Sequence, residues 1–301
     1  NLKDIFWIEN KKNLNLFKKK IKFNQIKKLK VKPNFIITGT CIGPGIDKKL
    51  LIYAKKQKII SISMIEHWSF LKERFLLNKK LILPDYIFVT DIYSKNFLLK
   101  NLDISKKRIN IIGNNYLKSL NFDKKKNFSN LNNKRKIISF ISQPHKSLEK
   151  KLFKYLGIRD YFGFDEFDTI KILKSYINKN KDYEIKIKLH PNEKRDKFNS
   201  IVNKRISLYK KNVHKEEIIS ISEYIIGMDS ILLLELYLMG GNVISLRAGK
   251  KTKFYGDKFK LFPIFENIND LSRYLNSKKK FKRKILNIKT NKILPILKKL
   301  K

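Results

Sequence analysis

Residues 220–247 contain the side chains whose types and spacing best suit phosphate chemistry. Asp229 or Ser230 is predicted to cap a helix whose first backbone N–H groups are unpaired and carry partial positive charge. Such a helix start is a ready site for a phosphate or diphosphate. Glu235 is the only charge in the predicted helix, residues 231–239, and burial of an unpaired carboxylate is unfavourable. We therefore expect Glu235 to meet a partner or a ligand hydroxyl.

The same residues also have a purely structural interpretation. Asp and Ser are common N-caps in helices that bind nothing. Glu235 could pair with Arg247 or with a neighbouring lysine. The pattern alone leaves both interpretations open.

The elements predicted around these residues form one β-α-β unit. A strand over residues 224–226 leads through a turn, residues 227–230, into the helix. Gly240 and Gly241 end that helix, and a second strand covers residues 242–246.

The rest of the second half repeats this alternation. A strand over residues 137–142 ends in Gln143, Pro144 and His145, and a strand over residues 184–189 ends in His190 and Pro191. Further predictions are helices over residues 164–178, 194–202 and 269–275 and strands over residues 206–209 and 261–265.

The first half alternates in the same way. Strands are predicted over residues 4–9, 34–38, 59–64, 86–89 and 109–112, with helices over residues 47–56, 68–77 and 93–101. Such alternation predicts parallel sheets covered by helices, with ligands at the carboxyl ends of the strands. The loops expected there are residues 39–47, 66–68 and 113–115.

Residues 121–136 are polar, charged and without apolar period, which is typical of a linker. We predict one domain over residues 1–130, a second domain over residues 131–276, and a basic tail over residues 277–301. The tail has an amphipathic helical pattern that Pro295 should interrupt.

The distribution of charged and aromatic residues bears on nucleic-acid binding. Lys and Arg number 69 and Asp and Glu 26, a net charge of +43, which attracts nucleic acid, anionic membranes or phosphorylated substrates. The charge is spread over nearly every segment, and most Tyr and Phe residues fall inside apolar segments instead of an exposed stripe. Nucleic-acid binding is therefore disfavoured.

Cysteine and histidine usage predicts no disulfide and no metal. Cys41 is the only cysteine, and with four scattered histidines it gives no metal-ligand spacing. No apolar run approaches the roughly 20 residues that span a bilayer. We expect a cytoplasmic protein, free or peripheral at the inner membrane face, where the basic tail would meet anionic lipid.

Five segments scattered over most of the chain together resemble a known fold. They are KPNFIITGT (32–40), LPDYIFVTDIYSKNFLL (83–99), INIIGNN (109–115), IKLHPNE (187–193) and IIGMDSILLLELYLMGGNVISL (225–246). Their order and spacing resemble the GT-B fold of nucleotide-sugar glycosyltransferases, which also serves the UDP-N-acetylglucosamine 2-epimerase family. The resemblance implies an α/β protein with two Rossmann-like domains facing a cleft.

The resemblance also implies roles for individual residues. In this fold the donor nucleotide lies mainly against the second domain. Ser230 and the N–H groups after it would bind the donor diphosphate, and Glu235 would accept hydrogen bonds from ribose hydroxyls. His190 resembles the His of the His-Pro motif in bacterial sialyltransferases and polyol-phosphate polymer transferases, where it contacts donor phosphate and can stabilise the leaving group.

Three more residues complete the donor side that the resemblance implies. Gln143 would lie near the same phosphates, and Gly227 and Asp229 belong to the binding turn. A His and a helix terminus can neutralise a departing phosphate without metal. The expected substrate is a UDP- or CMP-linked sugar, with neither cofactor nor metal.

The acceptor would face the first half, where a general base must deprotonate its hydroxyl. Asp47, Glu66 and His67 are the candidates, each in a predicted strand-to-helix loop. Adjacent residues of an extended segment point to opposite sides, so Glu66 and His67 cannot easily act together. We slightly favour Glu66. Equally open is a structural interpretation, in which His67 and Trp68 pack at a helix entry and Glu66 is a capping acid.

Three further acceptor-side candidates are Gly39, Thr40 and Arg74. Arg74 could pair with Glu66 or with an anionic substrate. The usual Gly-rich loop after the first strand is absent, and the first residue is Asn, which fits a truncated N-terminal half.

The function we predict is transfer of a sugar from a nucleotide-activated donor to a cell-surface polysaccharide or glycolipid. Epimerase signatures, such as an Arg-Pro-Glu after the early Gly-Thr and an acidic pair in the first half, are not seen. A sugar-nucleotide 2-epimerase or hydrolase is therefore the alternative. A basic nucleic-acid-binding protein ranks third.

Overall fold

The chain forms two compact units in a computed structural model that describes residues 7–8, 20–21, 33–66, 68–120, 135–249, 255–277, 281–284, 286 and 289–299. Unit 1 comprises Asn1–Ile112, Lys154–Gly157 and Asn291–Lys301. Unit 2 comprises Gly113–Phe153 and Ile158–Thr290.

Unit 1 is built on a parallel sheet. Its elements in chain order are β1 (Trp7–Ile8), β2 (Lys20–Ile21), β3 (Phe35–Thr38), α1 (Ile46–Gln57), β4 (Ile60–Met64), β5 (Leu76–Leu77), β6 (Lys80–Leu81), β7 (Tyr86–Val89), α2 (Ile92–Asn101) and β8 (Ile109–Ile111). The four-stranded sheet has the order β3-β4-β7-β8, and all its pairs are parallel.

Unit 2 has a larger sheet of the same kind. The elements that follow along the chain are α3 (Asn115–Ser119), β9 (Lys136–Ile141), α4 (His145–Leu156), α5 (Glu166–Lys179), β10 (Tyr183–Lys188), β11 (Ile206–Leu208), α6 (Lys215–Ile221), β12 (Ser222–Gly227), α7 (Ile231–Leu238), β13 (Val243–Leu246), β14 (Ile264–Phe265) and α8 (Ile268–Asn276). Six parallel strands lie in the order β11-β10-β9-β12-β13-β14.

Burial of the central strands explains this order. In β12, Ile225 and Ile226 are both fully buried although they point to opposite faces, and Phe140 of β9 is fully buried beside them. Strands that are apolar on both faces need helices on both sides, as in doubly covered parallel sheets. The hydrophobic run of the sequence therefore places β9 and β12 in the middle of the sheet.

The predicted helix over residues 68–77 is wrong. The structure has a single 3-10 turn, Glu73–Phe75, followed by the hairpin of β5 and β6. Asn78 and Lys79 both have positive φ, 49° and 65°, which is the conformation of a two-residue hairpin turn. The hairpin takes Leu76 and Leu77 into β5, and the positive φ of Phe70, 58°, interrupts the helical conformation at the other end of the segment.

Three more local predictions are corrected. The helix expected over residues 194–202 is only the 3-10 turn Arg195–Phe198. Pro295 does not interrupt the last helix, α9 (Ile293–Lys299), because it lies in its first turn, where proline is tolerated. Helix α4 was missed, although Leu148, Leu152 and Leu156 recur at a helical spacing. Most of the predicted linker, residues 121–134, lies outside the described residues.

Candidate functional site

Four adjacent parallel strands of unit 2 end at one edge of the sheet, and the polar candidates follow them. Residues 142–145 follow β9, residues 189–193 follow β10, residues 228–230 follow β12, and Arg247 follows β13. Because parallel strands present their carboxyl ends at the same edge, the fold gathers these loops there.

The start of α7 is capped by Ser230, whose hydroxyl oxygen accepts a hydrogen bond from Leu232 N over 3.1 Å. The cap is therefore Ser230 and not Asp229. Gly227, three residues earlier, lies very close to its neighbours: a Cβ at this position would lie 2.9 Å from the carbonyl oxygen of Ile141 and 3.1 Å from Leu233. Glycine lets β12 and the start of α7 lie against β9.

Asp229 forms a buried pair with His145. His145 Nε2 lies 2.8 Å from Asp229 Oδ1, and His145 is fully buried with its ring stacked on Phe162 at 3.8 Å. Burial alone would raise the pKa of the Asp229 carboxyl, but His145 and Arg247 hold that pKa below its usual value. The amide of Asp229 also donates to Gln143 Oε1 over 3.1 Å.

This pairing fixes the turn before α7 to the end of β9. Because Gln143 Oε1 accepts from the Asp229 amide, the NH₂ group of Gln143 is the part of this side chain that can donate a hydrogen bond to another group. Our sequence reasoning missed His145 as a site residue, noting it only as part of a strand end. Its one sequence signal is its place directly after Gln143-Pro144 at that strand end.

His190 lies in the turn after β10, and its Nδ1 accepts a hydrogen bond from Asn192 N over 3.1 Å. Burial lowers the pKa of the His190 imidazole, and Lys188, Lys197 and Lys151 lower it further, while Glu193 opposes them. A neutral imidazole that accepts at Nδ1 carries its proton on Nε2. At neutral pH His190 is therefore a hydrogen-bond donor through Nε2.

Glu235 has a protein partner. Its Oε2 lies 2.5 Å from Lys215 Nζ, and that ammonium also contacts the hydroxyl of Tyr116. Of the two partners that the sequence left open, the structure selects the lysine. Arg247 instead makes a bidentate pair with Asp257, with both N–O distances 2.7 Å.

In unit 1, Asp47 is occupied by its own loop. It is 6% exposed, accepts from Cys41 N over 3.1 Å, and lies 2.7 Å from Lys48 Nζ. Burial and the hydrogen bond with Asp47 raise the pKa of the Cys41 thiol to about 11. Asp47 thus closes the loop between β3 and α1, whose N-cap is Gly45.

Arg74 lies beside the same loop. Its Nη1 donates to the Thr40 carbonyl over 3.1 Å and lies 3.2 Å from the Thr40 hydroxyl. Burial lowers the pKa of the guanidinium, and the Glu66 carboxylate opposes this. The structure therefore brings Thr40, Arg74 and the Asp47 loop together.

The other acceptor-side candidates are more exposed or lie outside the described residues. Gly39 and Glu66 are exposed, and His67 is outside the described part of the chain. Trp68 is buried, and its indole donates to Asp91 over 2.5 Å. Trp68 is thus a packing residue, but the helix that it was expected to enter is replaced by the 3-10 turn Glu73–Phe75.

Within the described residues, no group of three or more His, Cys, Asp or Glu side chains could hold a metal ion. None of the helices that the structure describes is long and apolar enough to cross a bilayer.

No protein-family model and no curated protein sequence matches the chain. Solved structures do. The UDP-GlcNAc 2-epimerase of Methanocaldococcus jannaschii, in complex with UDP-GlcNAc and UDP, superposes with a TM-score of 0.61 at 18% identity, covering 92% of this chain and 79% of that one.

Two further structures give the same result. UDP-GlcNAc 2-epimerase from Neisseria meningitidis, bound to UDP-GlcNAc, has a TM-score of 0.53 at 17% identity, covering 84% of this chain and 70% of that one. The Staphylococcus aureus MnaA–UDP structure has a TM-score of 0.53 at 16% identity, covering 84% of this chain and 66% of that one.

The fold is GT-B-like. The predicted α/β class with Rossmann-like halves, and the resemblance to the GT-B and 2-epimerase superfamily, are confirmed at the level of the fold. At identities of 16–18%, the likeness concerns the fold, and the activity has to be argued from the site.

Proposed function

We propose that the protein binds a nucleotide-activated sugar through unit 2 and transfers the sugar to a glycan or glycolipid acceptor. The observation that carries the proposal is the shared sheet edge, where the capped start of α7 and the Nε2 donor of His190 follow nearby parallel strands. Both groups suit a phosphate, because a helix start carries partial positive charge and His190 offers a side-chain N–H.

The charges around His190 support an anionic ligand. Lys188, Lys197 and Lys151 all act electrostatically on the imidazole; Lys197 is paired with the carboxylates of Glu193 and Glu166, which leaves the charges of Lys188 and Lys151 to favour an anion. A local excess of positive charge attracts a diphosphate and stabilises the charge that develops as it leaves.

Glu235 is the residue we assign to the nucleoside. It lies in the helix that starts at the phosphate-binding turn, and Lys215 holds its Oε2. A carboxylate held in this way accepts hydrogen bonds from a ribose diol without reorienting. The same Lys215 contact also fits a purely structural role for Glu235. The affinity for nucleotide and the free energy of unfolding must therefore be measured separately.

The leaving nucleotide would be stabilised by His190, Ser230 and the α7 backbone. On the acceptor side, the proposal needs a base for the acceptor hydroxyl. Glu66 remains our candidate because it is exposed, whereas Asp47 is buried against Lys48 and the Cys41 amide.

A sugar-nucleotide 2-epimerase or hydrolase is the second candidate function. It is favoured by the comparisons, since the three structures described above are 2-epimerases or a UDP complex of the same fold. The transferase is preferred because the epimerase signatures are absent from the sequence.

Product analysis separates the two functions. The purified protein is incubated with UDP-, CMP- and GDP-linked sugars, with and without a glycan or glycolipid extract, and the products are followed by NMR and mass spectrometry. A transferase consumes the donor only when acceptor is present. An epimerase interconverts the donor, and a hydrolase releases free sugar, without acceptor. If no nucleotide sugar is turned over and none raises the melting temperature, the proposal is refuted.

A further inference from the structure

The turn that carries His190, residues 190–193, is closed by hydrogen bonds in both directions. Glu193 N donates to the His190 carbonyl over 2.9 Å, and His190 N donates back to Glu193 Oε2 over 2.7 Å. Pro191 occupies the second position, where its fixed φ suits a β-turn. Glu193 therefore holds the backbone from which the imidazole projects.

The Glu193 carboxylate is buried in a polar network. Its side chain is 2% exposed, and its Oε1 accepts from the Ser142 hydroxyl over 2.9 Å and contacts the Lys197 ammonium. Lys197 also contacts Glu166, whose side chain is equally buried. A buried carboxylate with several donors is held firmly, because each lost partner leaves an unpaired charge.

Glu166 extends the network to two helix starts. It is the first residue of α5, and its Oε2 accepts from Lys146 N over 3.1 Å in the first turn of α4. Carboxylates are favourable at helix N-termini, where the backbone carries partial positive charge. The network thus connects the ends of β9 and β10 with the starts of α4 and α5.

We propose that Glu193 is a positioning residue, which holds the His190 amide and the Ser142 hydroxyl together and so aims His190 Nε2–H at the donor phosphate. The inference rests on the proposed function, because it takes that phosphate as the target. Its structural part, the fixed turn and fixed tautomer, is independent of any ligand.

The tautomer of His190 tests the structural part. ¹⁵N NMR of the histidine side chains, with His190 assigned by comparison with His190→Ala, should show a protonated Nε2 and an unprotonated Nδ1 at pH 7.5. Glu193→Ala should give a mixture of tautomers, because the turn that presents Asn192 N to Nδ1 is loosened. Glu193→Gln keeps one acceptor oxygen and should remain closer to the wild type. A protonated Nδ1 in the wild type would overturn the inference without any variant.

Nucleotide affinity tests the functional part. By calorimetry, Glu193→Ala should bind UDP or CMP about 10-fold more weakly than the wild type, which corresponds to ~1.4 kcal/mol. Glu193→Gln should bind about 2- to 3-fold more weakly than the wild type, which is roughly a third to a half of that energy. Glu216→Ala, on the exposed first turn of α6, is the matched control and should bind normally.

The two proposals fail in different ways. If the wild type binds no nucleotide, the proposed function fails while the tautomer experiment still stands. If the wild type binds and the folded Glu193 variants keep both affinity and tautomer, the positioning role is refuted. Circular dichroism establishes folding, and Glu193→Gln or the wild-type spectrum decides the matter if Glu193→Ala does not fold.

Discussion

Replacement of His190 by alanine tests whether His190 donates a hydrogen bond to the phosphate of the nucleotide or only packs in the protein. The variant removes Nε2–H and leaves in place the two hydrogen bonds that Glu193 makes with the His190 backbone, one through its amide and one through its carboxylate. A hydrogen bond to a charged group contributes about 1.5–3 kcal/mol. Loss of that bond should raise the Kd for UDP or CMP about 10- to 150-fold at pH 7.5.

The pH dependence of folding stability is a second property that the same variant should change. Burial lowers the pKa of His190 in the folded protein below its ordinary 6.5. As the pH falls, His190 is therefore protonated in the unfolded chain before it is protonated in the folded protein. Stability that depends on His190 is therefore complete above pH 6.5 and falls as the pH drops towards the folded-state pKa. His190→Ala should lose this part of the acid sensitivity, measured by urea unfolding between pH 8 and pH 5.

The matched control is His214→Ala. His214 is exposed and lies before α6 without a side-chain capping bond. The control should bind nucleotide normally. If His190→Ala binds as tightly as His214→Ala, the assignment of His190 to the phosphate is wrong. Equal loss of affinity in both variants would indicate non-specific attraction by the basic surface.

Three further substitutions test the rest of the site. Glu235→Gln should raise the Kd for nucleotide about 10-fold and lower the free energy of unfolding by less than about 1 kcal/mol, because the Lys215 side chain is 30% exposed and keeps Tyr116. Calorimetry and urea unfolding check this, and equal losses of binding and folding would favour a structural role. Asp229→Asn should lower the free energy of unfolding by about 1–3 kcal/mol at pH 7. Because the Asp229 pKa is lowered from 3.8 in the folded state, the stability that its carboxylate contributes is complete above pH 3.8 and is lost as the pH falls through the folded-state pKa. The difference in stability between wild type and variant, measured by urea unfolding, should therefore narrow in acid, and a constant difference would contradict the lowered pKa. Gly227→Ala should destabilise unit 2 by about 1–3 kcal/mol through the 2.9 Å approach to the Ile141 carbonyl, while Gly39→Ala, with no atom within 4 Å of its Cβ, should unfold like the wild type.

The β-α-β unit around α7 could be predicted because its signals are local. An apolar run that ends at Gly227 gives the strand, and a second one that ends at Gly240 gives the helix, each to within a few residues. The same reasoning failed at residues 68–77, where the apolar spacing resembles a helix. There the turn at Asn78 and Lys79 decides the structure, and Asn-Lys is a weaker hairpin signal than Asn-Gly.

The contacts of the site could not be predicted because they join distant parts of the chain. His145 and Asp229 are 84 residues apart, and Ser142 and Glu193 are 51 apart. Each pair meets only because β9 lies between β10 and β12 in the sheet. For Glu235, local reasoning gave the need for a partner, but the choice of Lys215 over Arg247 depends on how α6 packs.

The most direct test of the central claim is a crystal structure of the protein with bound UDP or CMP. We expect the phosphates at the start of α7, within hydrogen-bond distance of Ser230 and of His190 Nε2, with the ribose at Glu235. A nucleotide bound with its phosphates away from α7 and His190, or a chain that binds no nucleotide at millimolar concentration, would contradict the account.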